Sequence, residues 1–269
     1  MILTVTHKTL YRYDIPVRGI VQSFRMTPSV FDGQSVRDWK IEVTDGIPGG
    51  TFRDGAGDRV ISYSVRGPVS EMAVTVSGTV ETWDLAGVLR GHRETVAPEA
   101  YLRDTLPTRL DAGLIELGAS VEAEGEVLSR AHALSHAVSG AIAYKPGATG
   151  AHTTAAEALS QGEGVCQDMA HALIAIARGQ GIPARYVSGY LLVDEGGVEH
   201  EAAHAWAELH VPGLGWVGFD PANECCPDGR YIRLGSGYDA ADAAPIRGIS
   251  RGTGDENLSV TVAVQSVQQ

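Results

Sequence analysis

Cys166, His204 and Asp220 occur in an order that could carry nucleophilic acyl transfer. A thiol attacks a carbonyl as its thiolate, a form favoured at a helix N-terminus or beside a cationic histidine. Cys166 follows Gly162-Glu-Gly-Val and precedes Ala170, Leu173, Ile174 and Ala177, spaced as one helical face, so it heads a helix over about 167–178. His204 could take the thiol proton and return it to a leaving amine. Asp220 could hold the imidazole in the tautomer this requires. Gly162 and Gly164 would let backbone N–H groups approach a developing oxyanion. Singly, each residue has a plainer reading. A lone cysteine is commonly an inert apolar residue, and an aspartate before proline a turn residue. Their order, and their places at element boundaries, join them.

His204 also closes a second motif. His200-Glu201-Ala-Ala-His204 matches the pattern in which two histidines on one helical face bind zinc and the glutamate acts as base, the site of a zinc metallopeptidase. The following residues favour a hairpin instead. Ala205 to Val211 and Trp216 to Phe219 flank Pro212-Gly-Leu-Gly215, which puts His204 and Asp220 at one open end. His132 and His136 lie four apart without a third ligand nearby in sequence, and read as a solvated helix face. Cys225 and Cys226 are adjacent. Their Cα atoms would be ~3.8 Å apart, short of the ~4.4–6.8 Å of ordinary disulfides. Three free thiols in a reducing compartment is the simpler account.

The elements that must position these residues fall into two groups. Before about residue 85, period-two alternation marks half-buried strands: Trp39, Ile41 and Val43, then Met72, Val74, Val76 and Val80. Thr44 to Gly50, Asp54 to Asp58 and Arg66-Gly-Pro68 read as separating turns. This predicts an antiparallel β-sandwich domain over 1–90. Beyond it, Ala97 to Asp104 and Glu122 to Ala143 carry helical spacing, and Thr153 or Thr154 caps a further helix with Glu157. Arg185 to Val193 reads as a strand, and Leu258 to Val264 alternates as a last one. The second domain is then 91–269, helices packed on an antiparallel sheet with a C-terminal β tail, and the class is α+β.

Composition narrows the function. A net charge of −12, with no Lys/Arg run, argues against nucleic acid or an anionic membrane as partner. Met1 to Leu10 lacks an apolar leader core, and the expected location is cytoplasmic.

Four blocks together resemble the bacterial transglutaminase-like superfamily: Gly164-Val-Cys-Gln-Asp-Met-Ala-His171, Gly181-Ile-Pro-Ala-Arg-Tyr-Val-Ser-Gly-Tyr190, His204-Ala-Trp-Ala-Glu208 and Gly215-Trp-Val-Gly-Phe-Asp-Pro-Ala-Asn223. Tyr11-Arg-Tyr-Asp14 and Arg25-Met-Thr-Pro28 are similar to the β domain that precedes the core in many bacterial members, and Tyr231-Ile-Arg with Tyr238 to Gly248 to the family's C-terminal segment. The resemblance implies a papain-like core with Cys166 as nucleophile, His204 as base and Asp220 as orienting acid. It implies a peptide or protein substrate, a thioester intermediate, and no cofactor or metal. Hydrolysis is expected over cross-linking, and no acidic cluster resembles the calcium sites of animal transglutaminases. Two stretches depart from the family pattern: Asp54 to Asp58, where relatives carry a glycine-asparagine turn, and the Cys225-Cys226 pair. A catalytically silent binding module is the remaining alternative.

Overall fold

Alternating apolar residues build the first sheet. The computed structural model describes residues 1–121, 125–192 and 203–267. Strand β1 (Ile2–Phe24) buries Leu3, Val5, His7, Thr9, Tyr11 and Tyr13, and turns the residues that alternate with them outward. β2 (Gln34–Val43) and β3 (Ile47–Arg53) follow, then β4 (Arg59–Thr82), which buries Met72, Val74, Val76 and Val80. β1 and β4 have 23 and 24 residues and pair antiparallel over most of that length. The sandwich expected from the strand spacing is thus realised by one continuous six-stranded sheet. Register shifts between Arg12 and Gly19 interrupt the β1–β4 ladder midway, and Tyr11 and Met72 on one side share a core with Ile20, Phe24 and Val65 on the other.

Arg66-Gly-Pro68 does not separate strands; it lies inside β4. Gly67 and Pro68 have no partner in the β1 ladder, so the N–H that proline lacks breaks no ladder bond.

The second unit consists of α1 (Ala112–Ala119), α2 (Val127–Ala141), β5 (Ala143–Tyr144), α3 (Ala155–Gln161), β6 (Glu163–Gly164), α4 (Cys166–Gly179), β7 (Ala184–Leu191), β8 (Ala203–Val211), β9 (Gly215–Phe219) and β10 (Tyr231–Gly237). The last four form an antiparallel sheet in the order β10-β7-β8-β9. α4 lies between that sheet and the other helices, and every residue from Asp168 to Arg178 is buried. The stretch from Ala97 to Asp104 forms only a 3-10 turn over Pro98–Leu102, and α1 appears where no helix was predicted. Residues 122–124 and Val193, within elements predicted above, lie outside the described residues.

The tail returns to the first sheet: β11 (Ile246–Ser250) and β12 (Glu256–Ser266) both pair with β1. Buried charges tie the two units together. Arg233 on β10 donates to Glu208 at 2.8 Å and to Asp58 of the first unit at 3.0 Å, and Asp58 also accepts the Ser236 N–H at 2.7 Å. Glu208 further accepts from Arg185 at 2.7 Å, and Arg185 reaches Glu94 and lies 4.0 Å over the Trp216 ring.

Candidate active site

Cys166 is the first residue of α4. Two short elements fix its approach. β5 pairs parallel with β6, and the Lys145 N–H bonds the Gly164 carbonyl at 2.7 Å. Asp168, three residues past Val165, reaches back to accept the Val165 N–H at 2.8 Å and the Thr149 hydroxyl at 2.5 Å. This is the returning half of a capping box, and its negative charge suits the helix N-terminus. α4 stops where the glycines predict. Gly181 takes φ +75°, and the Ile182 N–H returns to Ala177 at 3.0 Å.

His204 and Asp220 sit as the hairpin reading expects. β8 pairs antiparallel with β9 through a turn at 212–214, and Asp220 follows the end of β9. His204 Nε2 lies 2.6 Å from Asp220 Oδ2, and the Cys166 side chain is near enough to act on the charge of the imidazole. The three sequence-predicted residues are therefore neighbours, and His204 is the member on which both others act.

Two aromatic rings hold that imidazole. Trp206 stacks on His204 with centroids 6.4 Å apart, and Tyr231 meets it edge-on at 5.9 Å. The Trp206 ring has room because residue 189 is glycine: a Cβ there would lie 2.6 Å from a ring carbon.

Burial pulls the His204 imidazole towards neutrality, but the bond to Asp220 and the influence of Asp220 and the nearby Cys166 side chain outweigh it and raise the pKa to about 10. Burial likewise pushes the Asp220 carboxyl up, and the bond and charge of His204, with Asn223 and Tyr231, bring it below its ordinary value. The site thus favours imidazolium beside carboxylate. A folded-state pKa above the unfolded value of 6.5 gives stability that is fully present below 6.5 and lost as pH rises through about 10. The unfolding free-energy difference between the native protein and His204→Gln is accordingly expected to be large at about pH 6 and to shrink by about pH 10.5. A difference that stays constant in urea melts across that range would refute the pairing.

Two family models match this architecture. Residues 116–221 match the transglutaminase-like superfamily core, and residues 3–81 the bacterial transglutaminase-like N-terminal region. An uncharacterised protein of Mycobacterium leprae is 30% identical, over 97% of this chain and 98% of its own length. The chain belongs to the transglutaminase-like superfamily. An uncharacterised Mycobacterium tuberculosis protein is also 30% identical, over 98% of this chain and 91% of its own. A Cytophaga hutchinsonii crystal structure, proposed to be a cysteine protease, shares the fold at TM-score 0.76 and 22% identity, covering all of this chain and 92% of that one. A local match, 35% identical over 33% of this chain and 14% of the relative, is to a Pseudomonas aeruginosa protein-glutamine gamma-glutamyltransferase.

The competing motif fares differently. His200 and Glu201 lie outside the described residues. His204, its last member, is in strand β8 opposite Gly189 rather than on a helix, and its Nε2 is engaged by Asp220. Among the described residues, no group of three or more His, Cys, Asp or Glu side chains is arranged to hold a metal ion. His132 and His136 are exposed on α2, as their spacing predicts. Cys225 and Cys226 are free thiols. Gly162 and Gly164 have structural duties. Gly162 ends α3 in the left-handed conformation, and a Cβ on Gly164 would come within 3.0 Å of Asp168 Cβ. Among the described residues, no helix is long and apolar enough to cross a membrane.

Sequence reasoning missed Asn223 and Tyr231 as site residues. The Asn223 amide lies 2.7 Å from Asp220 Oδ2 and 3.3 Å from His204 Nε2, and the Tyr231 hydroxyl donates to Asp220 at 2.8 Å. Asn223 sits three residues beyond Asp220, a signal within reach; Tyr231 comes from a strand beyond the hairpin and gives none.

Proposed function

We propose that the protein is a cysteine-dependent acyl-transfer enzyme that hydrolyses peptide or amide bonds of a peptide or protein substrate. The observation that carries this reading is the His204 imidazole held at 2.6 Å by Asp220, with the Cys166 side chain beside it at the head of α4. With Nε2 committed to Asp220, Nδ1 is the nitrogen left to serve the thiol. Cys166 acts as a thiolate against the imidazolium. Attack on the acyl carbon places negative charge on the carbonyl oxygen, and the Cys166 N–H, at the helix start with no preceding turn to bond, is suited to receive it. As the carbon–nitrogen bond breaks, the imidazolium proton passes to the leaving amine, leaving a thioester on Sγ. Water then attacks the thioester, the imidazole takes its proton, and the acid departs with the thiolate restored. Asp220 stays ionised throughout.

Water needs no second binding site, whereas an acceptor amine does, which favours hydrolysis. The local likeness to a relative named as a gamma-glutamyltransferase favours the second reading, an amine as acceptor. A panel of peptide acyl donors, with and without a primary amine, separates the two. Release of amine or ammonia without added amine is expected. Iodoacetamide is expected to label Cys166 ahead of Cys225 and Cys226 and to abolish turnover, while a chelator leaves the rate unchanged. Equal labelling of all three thiols with full activity, or a chelator-sensitive rate restored by zinc, would overturn the thiol reading.

A further inference from the structure

Asp220 is held almost entirely by its own turn. Its Oδ1 accepts the N–H groups of Ala222 at 3.0 Å and Asn223 at 3.3 Å, and its Oδ2 the Asn223 amide at 2.7 Å. These bonds shape the turn after β9, but they move with it. His204 stands on a different strand, β8, and is the partner to be oriented. One further donor reaches Asp220 from outside the turn: the hydroxyl of Tyr231, from the start of β10, at 2.8 Å from Oδ2.

We propose that Tyr231 is a positioning residue of the site, anchoring the Asp220 carboxylate to the sheet so that Oδ2 meets His204 Nε2 and turns Nδ1 towards Cys166. The inference rests on the thiol reading above for its catalytic meaning, and on geometry alone for its structural one.

Three observations carry it. Tyr231 is 5% exposed, and its ring is fixed edge-on against Trp206 at 5.5 Å and 85°. β10 joins β7, which joins β8, so Tyr231 and His204 belong to one hydrogen-bonded sheet and keep a set separation. The hydroxyl is also held on its far side. Cys225 Sγ lies 3.3 Å from it, and because the one phenolic proton points to Asp220, Cys225 must donate its S–H to the tyrosine oxygen. Burial pushes the Cys225 thiol above its ordinary pKa, which keeps it the protonated donor. The result is an ordered chain, Cys225 to Tyr231 to Asp220 to His204. It also gives a role to a cysteine that departs from the family pattern. Misplacing a reacting group by about 1 Å costs on the order of a hundredfold in rate, so a lost anchor has a readable effect.

Tyr231→Phe removes one oxygen and keeps the packed ring. The expected result is a fall in kcat of about tenfold or more with KM little changed. The low-field NMR resonance of the His204 Nε2 proton is expected to move upfield as the bond to Asp220 lengthens. A merely structural role for Tyr231 would leave that resonance in place in the folded variant. Native kcat in Tyr231→Phe, or a resonance unmoved or shifted further downfield, overturns the proposal. The spectrum is recorded also in a Cys166→Ala background. If Cys166→Ala proves fully active, the thiol reading fails, and the same resonance still decides whether Tyr231 anchors Asp220.

Discussion

Cys166→Ala is expected to lower kcat by at least about four orders of magnitude while leaving the fold intact. The thiol is the one group in the triad for which no neighbour can substitute: Cys225 and Cys226 have thiols raised by burial, the second to about 11, and Cys225 donates to Tyr231. Alanine at the first position of α4 keeps the helix start, because the cap is supplied by Asp168 and not by the cysteine. His204→Ala should cost nearly as much, and the double variant no more than either alone, since the two groups act as a unit. Asp220→Asn should fall on the order of ten-thousandfold, as an amide there favours the wrong imidazole tautomer. Single-turnover assays with intact near-ultraviolet circular dichroism would measure these effects. A Cys166→Ala protein within tenfold of native turnover would remove the thiol from the mechanism.

The largest expected effect on stability lies away from the chemistry. Glu208→Gln should destabilise the protein by about 3–5 kcal/mol, or roughly 10 °C in Tm. Glu208 is the anion shared by two buried guanidinium groups, Arg185 and Arg233, and neutralising it leaves both facing a dipole in place of a charge. Burial would raise its carboxyl, but the charges of Arg233 and Arg185 bring it down to about 2. A depressed carboxylate contributes stability above its unfolded value of 4.5, and that contribution is lost as pH falls through about 2. The cost of Glu208→Gln should therefore be full at neutral pH and narrow in strong acid. A loss under about 1 kcal/mol in neutral urea melts would show that the ion cluster contributes little net stability, as buried pairs sometimes do.

Much of the site was legible because its signals are local. Cys166 is followed by helix periodicity and preceded by glycines, and the Pro212 to Gly215 turn folds His204 onto the side of Asp220. The Thr154–Glu157 capping box is present as its spacing predicts. What escaped has its cause elsewhere in the chain. α1 is short and glycine-containing, with weak propensity of its own; it is held by the Asp111 cap and by Leu114 in the core. β4 runs through Pro68 because its partner strand shifts register there, a fact absent from the dipeptide itself. Asp58, in a stretch that departs from the family's usual turn, reads as an ordinary turn residue, yet it is fully buried against Arg233 and Ser236 from 175 and 178 positions away. No window of sequence joins those three residues.

The return of β11 and β12 to β1 has a consequence for the order in which the protein can be made. β1 leaves the ribosome long before 246–266, yet one of its edges waits for partners from that stretch. Until then, the first sheet presents an unpaired edge along Leu3 to Tyr13, a template for pairing with other chains. The transglutaminase-like core must emerge in between, so the first unit is completed only after the second has been synthesised. Closing that long loop is slow on topological grounds. Nascent chains halted before residue 246 should therefore depend on chaperones, even when every catalytic residue is already present.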